Sequence, residues 1–289
     1  MRWTLPLLFS LGCGQSQLSP EWQLDRLRIL GARTTPAEAA PGDLVAMEAL
    51  TFGAEGVMWS TCFAPAGLDV PCPADEALRD QLRALDWAAL SEEERADWVG
   101  LAVADGVFGV QPGWDPVLPI PAELAQALAT PELSGGLSVA VALEAWSAAG
   151  DREYATKFLR LSLSQAPNLN PSLAAVTVED QPVSALNLRV GEPLVFTVVP
   201  AEGAEESYTY LNSEGTEELR DEHLELRFYA SLGDFGRFGP AFNHDVWNPG
   251  ETAEQELVVD EVGEGELIAV ALDGRGGVDW VRLPVIAEP

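Results

Sequence analysis

From Leu24 onward the chain alternates short apolar segments with clusters of turn residues. In LDRLRILGARTTPAEAAPGDLVAMEALTF, residues 24–52, two apolar stretches flank Ala40, Pro41, Gly42 and Asp43, a strand–turn–strand pattern. Gly56 to Phe63 predicts a third strand, carrying Trp59 near Cys62. Leu137 to Trp146 and Tyr154 to Leu163 flank Gly150 and Asp151 and predict a hairpin. Further strands are predicted at 173–178, 194–199, 224–231, 256–260, 266–272 and 278–285, the last two joined by the turn Asp273, Gly274, Arg275, Gly276, Gly277.

The texture changes over residues 73–133. Pro73 followed by Asp75 and Glu76 suits a helix first turn, where a missing amide costs nothing and acids face the positive end of the dipole. Leu78, Leu82 and Leu85 then fall on one face. Ser91 and Glu94 have capping-box spacing and open a second helix through Trp98 and Leu101. Pro112, Gly113, Pro116, Pro119 and Pro121 interrupt the chain beyond that helix, so this span is expected to be a helical and loop insertion. Pro167, Asn168, Leu169, Asn170 and Pro171 mark a linker over 167–172.

Two fragments recur in the same order. Gly42–Asp43 before a strand matches Gly191–Glu192, and Val139–Leu143 matches Ile268–Leu272, which reads as an internal duplication. At APGD before an early strand and LDGRGGVDW at the end, the chain resembles the immunoglobulin-like and polycystic-kidney-disease-type sandwiches of bacterial surface proteins. The resemblance touches about half the chain and specifies turns, not chemistry. It implies a mainly β fold with two tandem immunoglobulin-like β-sandwich domains, residues 24–166 with the insertion at 73–133, and 173–289. It also implies a cell-surface habit and carries over no catalytic residue.

Ahead of the first strand, Met1, Arg2 and Trp3 precede the apolar stretch Leu5 to Phe9, too short to cross a bilayer as a permanent helix. The next residues, Ser10, Leu11, Gly12 and Cys13, resemble the lipobox of bacterial lipoproteins, although Ser10 stands where that family usually has Leu. The resemblance implies a signal peptide over 1–12, acylation of Cys13, and a tether over 13–23. A thiolate is the nucleophile that such acylation requires.

Acids outnumber bases 46 to 16, giving a net charge of −30, and this field removes the phosphate attraction on which nucleic-acid binding depends. Lys157 is the sole lysine, which fits GC-rich codon usage. His223 and His244 have no metal-ligand spacing, no Gly-Lys pair exists for a phosphate loop, and residues 135–138 supply no nucleophile elbow. The acidic runs 202–206 and 214–222 lack an EF-hand pattern and read as a solvated loop, with calcium as the alternative. No catalytic residue, cofactor or metal site is therefore assigned.

Cys62 and Cys72 are close enough for a disulfide if the chain is exported, with two buried free thiols as the alternative. Trp87, Trp98 and Trp114 gather in the insertion, either as partner contacts or as packing between the helices and the sandwich. The expectation is a non-enzymatic lipoprotein of the bacterial envelope, periplasmic or at the cell surface. It would serve as a binding or structural scaffold for a protein or glycan partner and would bind no nucleic acid. An envelope hydrolase using paired carboxylates on glycans or wall polymers, and a subunit of an envelope assembly, are the competing expectations.

Overall fold

The computed structural model describes residues 21–65, 76–85, 89–104, 107–111, 116–130, 133, 135–211, 216–236, 244–247 and 253–289. The first sandwich comprises β1 (Arg28–Thr35), β2 (Glu38–Ala39), β3 (Leu44–Phe52), β4 (Gly56–Pro65), α1 (Glu76–Ala84), α2 (Glu92–Ala104), β5 (Val107–Gln111), β6 (Val117–Pro119), α3 (Leu124–Leu128), β7 (Leu137–Trp146) and β8 (Arg152–Leu161). The second comprises β9 (Leu173–Val178), β10 (Gln181–Pro182), β11 (Leu186–Arg189), β12 (Leu194–Pro200), β13 (Ser207–Leu211), β14 (Glu217–Asp221), β15 (Leu224–Ala230), β16 (Asp234–Phe235), β17 (His244–Trp247), β18 (Ala253–Val258), β19 (Gly263–Leu272) and β20 (Val278–Glu288).

Both halves share one strand plan. Sheet β1-β3-β6 faces β2-β8-β7-β4-β5, and sheet β10-β9-β12-β18-β16 faces β11-β20-β19-β15-β17. In each half a short early strand crosses to the second sheet and pairs parallel with the last strand, β2 with β8 and β11 with β20. The division of strands between the sheets is that of the immunoglobulin sandwich. The repeated fragments occupy equivalent places. Gly42 and Gly191 precede β3 and β12, the second long strand of each half, while Val139–Leu143 and Ile268–Leu272 lie in β7 and β19, the next-to-last strands.

Alternation places Val45, Met47, Val57, Trp59, Val141, Leu143 and Leu159 between the first pair of sheets, and Phe196, Val198, Leu226, Phe228, Leu257 and Leu283 between the second. β19 departs from alternation, because Leu267, Ala269 and Ala271 fill the second core while Ile268, Val270 and Leu272 pack with Leu30, Leu50 and Phe52 of the first sandwich. A strand covered on both faces reads as a continuous apolar run, here LIAVAL. The sandwiches are thus stacked sheet on sheet. On the opposite side of the first sandwich, Leu78, Leu82, Leu85 and Trp98 of the helical segment pack on Met58 and Trp146. Gly56 admits this arrangement, since a Cβ there would collide with the Trp146 indole.

Two boundaries differ from the sequence expectation. The insertion is shorter than 73–133, because β5 pairs with β4 and β6 pairs with β3 as edge strands of the sandwich. Pro119 is tolerated at such an edge, where its missing amide breaks no interior ladder, so its proline signal concealed a strand. The tether expected over 13–23 ends before Trp22, whose indole is 3% exposed within the second core. Trp22 meets Phe235 edge-on at 5.4 Å, and the backbone bonds Leu24 N–H to Ala230 O (2.9 Å) and Ala230 N–H to Trp22 O (3.0 Å) strap the segment alongside β15. A buried indole holds this strap against the entropy of a free chain.

Candidate functional site at the junction of the sandwiches

Buried polar groups gather where the β19–β20 turn meets the first sandwich. The Asp273 carboxylate accepts the amides of Arg275, Gly276 and Gly277 at 2.7–2.8 Å and the Asn168 side-chain amide at 2.7 Å. Gly277 is required by this closure, because a Cβ would run into the Asp273 carboxylate and lie 2.7 Å from the Leu169 carbonyl. The turn therefore projects Arg275 sideways, over the Tyr208 ring at 4.3 Å. Its guanidinium binds Glu222 at 2.6 Å, with Glu206 at 3.7 Å and Glu38 at 3.8 Å. Burial raises the Glu222 carboxyl above the usual range, opposed by the bond to Arg275.

Glu38 comes from the two-residue strand β2 and is buried. One of its oxygens accepts the Ser162 hydroxyl and lies 3.6 Å from Arg160, while the other accepts the Asn168 amide at 3.0 Å. Lys157 donates to the Gly276 carbonyl across the junction. Burial pushes its ammonium down to about 8, opposed by the Asp273 charge. Asn170 completes the seam, donating to Thr34 O at 2.8 Å and accepting the Val278 amide at 3.0 Å. Residues 167–172, read in the sequence as a linker, are thus clamped from both sides.

This cluster floors a cleft of about 830 Å³ between the 162–167 segment and the β13–β14 hairpin, with Glu38, Arg160, Leu163, Tyr208, Thr209 and Arg275 among its walls. β13 pairs with β14 alone among the described strands, so no described strand pairs with its second backbone edge. The acids of the cluster hold structure rather than stand free. Glu38 and Glu222 are committed to Arg275 and neighbouring donors, and Glu206 accepts the Leu169 amide at 3.1 Å. Among the described residues, no group of three or more His, Cys, Asp or Glu is placed to hold a metal ion.

Of the residues singled out in the sequence, Trp98 is half-buried against Met58 and Leu82, and His223 is exposed. Cys13, Cys72, Trp87 and Trp114 lie outside the described residues, as does the side chain of Cys62. Sequence reasoning missed Glu38, Lys157, Asn168 and Arg275 as one constellation. The run 214–222, read as a solvated loop, contains the exposed strand β14 and the buried Glu222.

Comparison with protein-family models gives no match, and comparison with curated proteins gives none either. Among solved structures the chain is similar to the D00-D0 domain of intimin, at 13% identity over 91% of this chain and 99% of that one, with a TM-score of 0.26. It is also similar to the fibronectin(III)-like modules of CbhA from Clostridium thermocellum, at 11% identity over 91% and 94%, with a TM-score of 0.27. The third is the N-terminal Ig1-2 module of the Drosophila receptor protein tyrosine phosphatase DLAR, at 10% identity over 91% and 100%, with a TM-score of 0.27. The assignment of two immunoglobulin-like sandwiches rests on the strand order and not on these scores.

Proposed function

We propose that this chain is a lipid-anchored scaffold of the bacterial envelope that binds an extended protein segment in the junction cleft. The second edge of β13 at the wall of that cleft, which no described strand pairs with, carries the reading, because such an edge offers backbone donors and acceptors to an incoming chain. The locked ion cluster beneath makes the floor rigid, which lowers the ordering cost of binding. A hydrolase would need carboxylates free to act, whereas the buried acids of the cleft floor are already bound by arginine and amide donors. An envelope assembly partner is one form such a segment would take. The lipid anchor is carried by the lipobox-like Leu11, Gly12, Cys13, and export would put Cys62 and Cys72 in a compartment that favours their bridge.

In cells fed a fatty-acid analogue, the wild type should be labelled and membrane-bound, and Cys13→Ala should be unlabelled and released. A photo-reactive amino acid at Thr209 should form an adduct in those cells, while the same group at exposed Val195, on the far sheet, should not. Retention of Cys13→Ala on the membrane would refute the anchor, and a silent Thr209 would refute the cleft as the binding surface.

A further inference from the structure

The register of the β13–β14 hairpin fixes which backbone groups β13 can offer to an incoming chain. At the foot of the hairpin the Glu222 amide donates to the Glu206 carbonyl at 2.9 Å. Hydrogen-bonding direction alternates along an antiparallel pair, so Tyr208 also bonds toward β14, whereas the amides and carbonyls of Ser207 and Thr209 point the other way. Both residues line the cleft, and no described bond engages their main chain. The two faces of the hairpin differ in chemistry. Tyr208 lies beneath Arg275 on the face turned to the cleft floor. Ser207 and Thr209 share the other face with Asp221 and Leu219, their cross-strand partners, and with Glu217 two residues before Leu219. Glu217 is exposed, lines the cleft and has no described ion pair, and Asp221 accepts the Ser207 hydroxyl at 2.6 Å. Across the cleft the 162–167 segment presents Leu163, 46% exposed, beside Ala166 and Pro167.

We infer that the occupant of the cleft is a cationic extended segment of another protein, in which basic residues alternate with apolar ones. The inference rests on the cleft being the binding surface and adds the chemistry of what it takes. A strand paired to β13 through Ser207 and Thr209 turns every second side chain to the Tyr208 face, where an apolar group is covered by the ring. The remaining side chains share the face of Glu217 and Asp221, where lysine or arginine meets carboxylate. Arg160 and Arg275 do not oppose this arrangement, since they are held by the Gly135 carbonyl, Glu38 and Glu222. The field of the whole chain, at −30, acts in the same direction: it draws in a cationic segment and turns away acidic segments and a second copy of this protein.

The test measures, by fluorescence anisotropy, the binding of short labelled peptides to the full chain. A peptide of alternating lysine and valine should bind at least ~10-fold more tightly than glutamate–valine and threonine–valine counterparts, and the gap should narrow as salt rises from about 0.1 to 1 M. The lysine–valine peptide methylated on every backbone amide keeps its charge but loses its donors, and should bind at least ~10-fold more weakly. Glu217→Gln should weaken the unmethylated peptide about twofold to fivefold, as loss of a surface ion pair does. Leu163→Ser should weaken it as well, whereas Val195→Ser on the far sheet should not. Charge-blind binding that methylation still abolishes overturns the cationic inference and leaves the cleft reading standing. Binding indifferent to methylation, Glu217→Gln and Leu163→Ser is attraction to the acidic coat at large, and overturns both. No binding of any peptide, with Thr209 still forming its adduct in cells, overturns the inferred occupant alone.

Discussion

At the residue scale, the junction couples an expensive charge to a well-satisfied acid. Lys157 is buried, and the fall of its ammonium from 10.5 to about 8 corresponds to a cost on the order of 3 kcal/mol when both folded and unfolded chains are protonated. Below pH 8 that cost is fully present. Between about 8 and 10.5 the unfolded chain keeps the proton that the folded chain has lost, so this residue makes stability rise with pH. The stability of the wild type relative to Lys157→Met, from urea unfolding, should be flat below pH 8 and climb through that window. Parallel pH profiles would refute the assignment. None of this was legible in the sequence, where the single lysine carried only a codon-usage signal. Glu38, Lys157, Asn168, Glu222 and Arg275 come from five separate segments, and no local spacing announces a cluster assembled by tertiary packing. The turn that organises them was legible as DGRGG, because glycine and aspartate have local reasons to be there.

At the element scale, long strands with one buried face such as β7 and β9 were legible in the apolar pattern, whereas the short β6 and β11 were missed although each buries leucine, and the Ser91–Glu94 capping box opens α2 as expected. Ser91 N–H donates to Glu94 at 2.9 Å, and the Ser91 hydroxyl and amide hold the Glu94 carboxyl below its usual range. Elements lacking a buried face were missed. Every residue of β14 is exposed, with Leu219 at 76%, so its side chains carry no period-two signal. The strap was missed for the opposite reason: one buried Trp22 between polar neighbours gives no periodicity at all. Its contribution is nonetheless large. Trp22→Ala should cost about 3–5 kcal/mol, the usual range for deleting a buried aromatic, read as a lowered urea midpoint with unchanged slope. A change below ~1 kcal/mol would mean that the strap is not part of the second core.

At the scale of the whole molecule, the sheet-on-sheet stack makes the division into two sandwiches a matter of topology more than of independence. Tyr229, Ile268, Val270, Val278 and Trp280 of the second half bury their side chains against Leu30, Leu50 and Phe52 of the first, with Arg33 over Trp280 at 4.3 Å and bound to Asp279 at 2.6 Å. Sandwiches joined by a loose linker bury little between them and unfold separately. Here the seam is apolar at its centre and ionic at the cleft end, and the strap ties the beginning of the chain to the half that comes last in sequence. Residues 173–289 alone would lack Trp22 and expose those five side chains of the second half. The intact chain is therefore expected to unfold in a single calorimetric transition with matching calorimetric and van't Hoff enthalpies. Ile268→Asp, which buries an unpaired carboxylate in the seam, should lower that transition as a whole or split it in two. Two separate transitions in the wild type would show that the seam does not couple the halves, and the rigid floor on which the cleft depends would be lost with it.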